Sequence, residues 1–71
     1  MADSFKHEFL RQRREQLQLS RDEVVKRLYS QQFDVTEETL RMWEGGVTSP
    51  DADKLPALAD VLKCKVHEFY R

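Results

Sequence analysis

The side chains in this sequence that are fitted for chemistry are charged rather than nucleophilic. Cys64 is the single cysteine, so it forms no internal disulfide, and neither it nor His7 and His67 stand at the spacing of a zinc site. No nucleophile has a base at a readable spacing, and there is no glycine-rich loop to cradle a phosphate. The expectation is a protein without metal, cofactor or enzymatic activity. The residue that asks for a partner is Arg14. Leu10 and Leu17, seven apart, mark the inward face of a first helix, and Arg14 falls between them on the same face. A guanidinium buried there is costly unless it is paired and hydrogen-bonded. Glu44 follows Trp43 at the end of another inward-facing stretch and is the best-placed carboxylate. The spacing therefore predicts an Arg14–Glu44 salt bridge joining helices 1 and 3. The alternative it leaves open is an Arg14 that lays its stem on the core and carries its charge out to solvent.

Seventy-one residues make one small domain, taken as 1–71, near the lower limit of what folds on an apolar core without staples. Every large apolar residue is first of all a core candidate. The net charge of −1, from 12 basic and 13 acidic residues, is not that of a generic nucleic-acid binder. Its distribution is uneven. From Lys6 to Arg27 seven basic residues stand against four acidic ones, whereas from Leu28 onward five basic residues face eight acidic ones. Only the first part is suited to touching phosphates. There is no apolar run of signal-peptide length and no stretch of about 18 apolar residues. With the lone cysteine, this gives the expectation of a soluble, unprocessed, cytoplasmic protein with no membrane partner.

These residues are positioned by a series of short helices. Ser4 is placed to cap a first helix over Ser4–Gln18, with Phe5, Phe9, Leu10 and Leu17 largely on one face. Ser20 and Glu23 form the S-x-x-E capping box that opens a second helix, in which Val24, Val25 and Leu28 point inward and Tyr29 extends that face. Phe33 and Val35 anchor a polar connection. Thr36 caps a third helix that buries Leu40 and Trp43, with Glu37 and Glu38 set against the positive end of the helix dipole. Gly45-Gly46 ends it. Asp51 or Asp53 caps a fourth helix carrying Leu55, Leu58, Ala59 and Leu62 at i, i+3, i+4 and i+7, with Pro56 tolerated in its first turn. Cys64 and Val66 lead into a last short helix with Phe69 and Tyr70. The fold class is all-α, with five helices and no strand. In this arrangement Trp43 and Cys64 are core, and Arg11 and Arg13 are surface charges.

Several stretches together resemble the phage repressor and Cro family of helix-turn-helix domains, also called the xenobiotic response element type. They are Leu10-Arg11 with Arg14, Leu19 to Val24, Thr39-Leu40 with Trp43-Glu44 and Gly46, and Leu55 to Leu62, in family order and over nearly the whole chain. The resemblance implies a five-helix, lambda-repressor-like domain. Helices 2 and 3 form the helix-turn-helix, with helix 3 in the major groove and helix 2 across the backbone. It also implies the Arg14–Glu44 pair. Carried over by position, Glu37, Glu38, Thr39, Arg41 and Met42 face the bases, and Arg21 contacts a phosphate. The implied partner is double-stranded DNA, and the implied role is that of a sequence-specific transcriptional regulator, a repressor, working as a homodimer. Phe69 and Tyr70 are the candidate dimer contacts.

Two departures from the family pattern bear on that role. The connection between Leu28 and Trp43 is several residues longer than usual and lacks the glycine of the tight turn, as if helix 2 ran on through Gln32; Val25 also replaces the usual small residue. Glu37 and Glu38 stand where relatives carry neutral or basic side chains, and a carboxylate repels phosphate even though it accepts from the amine of cytosine. The alternative function is a protein-interaction module, such as an antitoxin or accessory factor, that keeps the fold with weakened DNA binding and acts on a protein partner.

Overall fold

The computed structural model of the chain describes residues 5–70. Four α-helices follow one another: α1 (His7–Gln16), α2 (Arg21–Ser30), α3 (Glu37–Gly45) and α4 (Leu55–Val61). Two single 3₁₀ turns accompany them, Ala52–Lys54 leading into α4 and Val66–Phe69 near the C-terminus. The expected fifth helix is thus one 3₁₀ turn. Its four residues are too few for an α-helical ladder, and the Glu68 carboxylate closes the turn by accepting from the Lys65 N–H at 3.0 Å. Among the described residues the only extended pairing is an isolated antiparallel bridge between Phe5 and Tyr70.

Helix starts follow the side chains that can satisfy free N–H groups. The Ser20 hydroxyl accepts from Glu23 N–H at 3.1 Å while the Glu23 carboxylate accepts from Ser20 N–H at 2.8 Å, completing the capping box. Thr36 Oγ1 accepts from Thr39 N–H at 3.1 Å at the start of α3. The proposed cap at Ser4 lies outside the described residues; α1 begins at His7 after Lys6, with no side-chain cap, and Phe5 precedes the helix instead of belonging to it. Neither Asp51 nor Asp53 caps α4. Asp51 precedes the 3₁₀ turn without a capping bond, and its carboxylate takes the Lys54 ammonium at 3.2 Å. Pro56 sits in the first turn of α4, where its missing N–H costs no intrahelical bond.

Helix ends are more surprising. Gly46 closes α3 in the left-handed conformation at φ 81°. Gln18, Gln32 and Lys63 do the same after α1, α2 and α4, at φ 59°, 70° and 55°, without the freedom of glycine. In each case the next residue folds its N–H back onto the last turn: Leu19 to Arg14 O, Phe33 to Leu28 O, and Cys64 to Ala59 O. That is the Schellman arrangement, and the residue after the left-handed position is an apolar side chain drawn toward the core. Burial of Leu19, Phe33 and Cys64 offsets the strain of a side chain at positive φ. Helix α2 therefore stops at Ser30 and does not run on through Gln32.

The core is built from Leu10, Val24, Leu28, Leu40, Leu58, Leu62 and Phe69, all essentially inaccessible, with Trp43, Val35, Leu55 and Val61 around them. Helix α3 packs on α1 and α2, and α2 packs on α4. Val25 is half-buried against this core. Tyr29 does not extend the inward face of α2; it is 67% exposed, in the last turn of the helix, whereas Val24 and Leu28 are buried. Phe69 stacks on Phe5 at 5.5 Å and meets Phe9 edge-on at 5.7 Å, while Tyr70 stands edge-on to Phe5 at 5.7 Å. The two ends of the described chain are thereby one aromatic cluster.

Candidate nucleic-acid interface

Arg14 and Glu44 meet inside the protein, between α1 and α3. Arg14 Nε donates to Glu44 Oε2 at 2.6 Å and Nη2 to Oε1 at 3.2 Å, while Nη1 donates to the Leu19 carbonyl at 2.8 Å. The Glu44 side chain is 2% exposed and that of Arg14 10%. The charge is thus neutralised and its donors are used, which is the condition for burying it. Arg21, the first residue of α2, reaches the same carboxylate, its Nε donating to Glu44 Oε1 at 3.1 Å. This second arginine was not anticipated from spacing, since only the packing of α2 on α3 brings it there.

The opposite, outward face of α3 carries Glu37, Glu38 and Arg41, all exposed, with Thr39 and Met42 half-buried. Arg41 does not stand alone: its Nη2 donates to Glu38 Oε1 at 2.6 Å, one turn away along the helix. The hydrogen bond and the negative charge of Glu38 raise the Arg41 guanidinium still further above its ordinary pKa, so it stays protonated at any working pH. The Thr39 hydroxyl is engaged with that of Thr36 at 2.9 Å and is part of the helix cap. A groove of about 540 Å³ runs between the start of α1 and the end of α3, lined among others by Arg11, Arg21, Arg41, Met42 and Gly46. Three arginines from three helices therefore open onto one concavity.

A helix-turn-helix family model matches residues 10–69, which takes in every element from α1 to the last 3₁₀ turn. The chain belongs to the helix-turn-helix family, in its Cro/C1 branch. No curated protein and no solved structure matches it. Members of this helix-turn-helix family have the fold of DNA-binding transcription regulators.

In this helix-turn-helix, α2 and α3 are joined by residues 31–36, and the position where a tight turn would use glycine is taken by Gln32 in the left-handed conformation. The extra residues are held by Val35, 4% exposed, and by half-buried Phe33. Gln31 ties the end of α2 to α4 by donating to Asp60 at 2.9 Å.

Two residues read as ordinary from the sequence prove to be struts of the helix-turn-helix. Arg13 is not a free surface charge. Its Nε donates to Leu62 O at 2.9 Å and Nη2 to Lys63 O at 2.8 Å, so it caps the carbonyl end of α4, where a cation is also favoured by the helix dipole. His7 Nδ1 lies 2.7 Å from the Trp43 carbonyl, which can only accept, so Nδ1 carries the proton and the imidazole pins α1 to the end of α3. No spacing rule links residues 36 or 49 positions apart, and neither contact was legible beforehand. Of the terminal aromatic pair, Phe69 is fully buried and has no surface to offer a second copy; Tyr70 is half-buried. Cys64 is also partly exposed rather than fully buried; desolvation raises its thiol above the ordinary range, Glu68 adds to the rise and Arg13 opposes it.

Proposed function

We propose that the chain is a sequence-specific DNA-binding transcriptional regulator that represses by occupying an operator. The observation that carries this reading is the family match across α2 and α3, with the outer face of α3 uncovered. In the proposed complex α3 enters the major groove with its N-terminal end first. Arg41 then supplies the main base contact, to guanine O6 and N7, and Glu37 or Glu38 accepts from a cytosine amine. Thr39 and Met42 line the same face, and Arg21 takes a phosphate. Binding as a homodimer would place two α3 helices on half-sites about 34 Å apart. Since Phe69 is in the core, the dimer contact falls to Tyr70 and its neighbours.

A second reading is a protein-interaction module, such as an antitoxin or accessory factor. It is favoured by the acidic start of α3 and by the engagement of Arg41 with Glu38. Selection from a random duplex pool at low salt separates the two. The regulator reading expects enrichment of an inverted repeat, with Arg41→Ala losing about 1–3 kcal/mol of discrimination at one base pair. A pool with no enriched sequence, and affinity that does not rise as salt falls, would favour the protein partner.

A further inference from the structure

We propose that Glu44, besides neutralising Arg14, is a positioning residue that holds Arg21 in readiness for one phosphate of the DNA backbone; this rests on the DNA-binding reading above. Arg14 already occupies both oxygens of the Glu44 carboxylate, at 2.6 and 3.2 Å, and spends its remaining Nη on the Leu19 carbonyl. The fold therefore has its counter-ion without Arg21. Arg21 nonetheless donates its Nε to Glu44 Oε1 at 3.1 Å. Inside the protein two guanidiniums share one carboxylate, which leaves one unit of positive charge over; the other carboxylate near them, that of Glu15, is 4.0 Å from Arg14 Nη2, is 56% exposed and is screened by solvent. Since Arg14 is shut inside, that charge rests on Arg21, whose side chain is 36% exposed and borders the groove shared with Arg11 and Arg41.

A guanidinium is a planar fork with five N–H donors, and engagement through Nε leaves the four Nη hydrogens for another acceptor. Because Glu44 is 2% exposed and doubly bonded to Arg14, it is a fixed point. Arg21 is consequently ordered before a phosphate arrives, and the entropy of ordering a long side chain is not spent at binding. A lysine at the same position carries the charge on a single nitrogen, so its three donors radiate from one point and cannot bind the carboxylate by one edge while presenting a second, separate edge to the phosphate.

The test uses the full chain and a mixed-sequence duplex at low salt, because a phosphate contact is independent of base sequence. Circular dichroism first establishes that Arg21→Lys and Arg21→Gln are folded at the titration temperature. The expected result is that both lose about tenfold in affinity, while only Arg21→Gln flattens the salt slope by about one unit. In addition, the Arg21 Nε–H resonance should stay protected from exchange with water when duplex is added. Wild-type affinity in Arg21→Lys overturns the proposal, as does an Nε–H that begins to exchange on adding DNA, since Glu44 would then compete with phosphate instead of presenting Arg21 to it. A wild-type chain that binds neither mixed nor selected duplex overturns the DNA-binding reading and this proposal together. Normal salt-dependent binding that is indifferent to Arg21 overturns the positioning role alone.

Discussion

Two arginine–glutamate pairs in this molecule have the same shortest distance, 2.6 Å, and almost nothing else in common. Arg14–Glu44 joins α1 to α3 with side chains 10% and 2% exposed, whereas Glu38–Arg41 lies along α3 with side chains 64% and 57% exposed. In the first pair water has been removed and Arg14 depends on Glu44, which it shares with Arg21. In the second, solvent screens the attraction and each partner is readily hydrated if they separate. Distance alone therefore says little about what a pair contributes; the medium around it decides. The buried pair belongs to the fold, and the exposed pair belongs to the face of α3 proposed to read DNA.

The strongest way to break this contrast is to make the same change at both sites. Glu44→Gln leaves Arg14 charged and buried, and should cost about 3 kcal/mol in urea unfolding. A loss below about 0.5 kcal/mol would mean that Arg14 finds water and that the two sites are alike. Replacing both partners, as Arg14→Met with Glu44→Leu, should cost clearly less than the sum of the single changes, because no buried charge is then stranded and Arg21, 36% exposed, can turn to water.

A smaller effect is expected at the two glycines that follow Glu44. Gly46 has φ 81°, and its missing Cβ would lie 3.7 Å from the His7 ring, so space is available but the backbone conformation disfavours a side chain. Gly46→Ala should destabilise by about 1 kcal/mol. Gly45 is within α3 and has nothing near its Cβ position, so Gly45→Ala should stabilise by about 0.5–1 kcal/mol. Thermal unfolding of the two variants gives opposite signs if the end of α3 is held by backbone geometry, and equal signs if it is not.

The least change is expected from Glu38→Gln. It should leave the urea midpoint where it was, since the pair is solvated. Its effect belongs in the DNA titration: on a mixed-sequence duplex, where no cytosine contact is at stake, removing one carboxylate from the proposed reading face should raise affinity. A fall in affinity for the selected site would assign Glu38, rather than Glu37, the cytosine contact.

Much of the framework was readable because it depends on neighbours in sequence. Ser20 with Glu23, Thr36 with Thr39, the Leu55 repeat and the first-turn Pro56 are local rules acting over one helical turn. The Arg14–Glu44 contact was readable because a charge on an apolar stripe demands a partner, even at a separation of 30 residues. The helix ends at Gln18, Gln32 and Lys63 were not legible. Their left-handed geometry is imposed by the burial of the residue that follows, and no glycine announces it. Arg13 on the end of α4, His7 on the Trp43 carbonyl and Arg21 on Glu44 were hidden for a related reason: each joins a polar side chain to a distant element whose position is set by packing. On the outer face of α3, the placing of Glu37, Glu38 and Arg41 was implied by the family resemblance, whereas the pairing of Arg41 with Glu38 was not foreseen.

The bridge between Phe5 and Tyr70 has a bearing on how the domain opens. Chain ends commonly fray independently of each other, but here Lys6 N–H donates to the Phe69 carbonyl at 2.6 Å and the Phe5 ring is packed on both Phe69 and Tyr70. The beginning and the end of the described chain are therefore one unit of local unfolding, although they are the residues furthest apart in sequence. Loosening either strips the other of its backbone acceptor or its ring partner, and amide exchange at Lys6 reports on the order of the C-terminal turn as much as on its own.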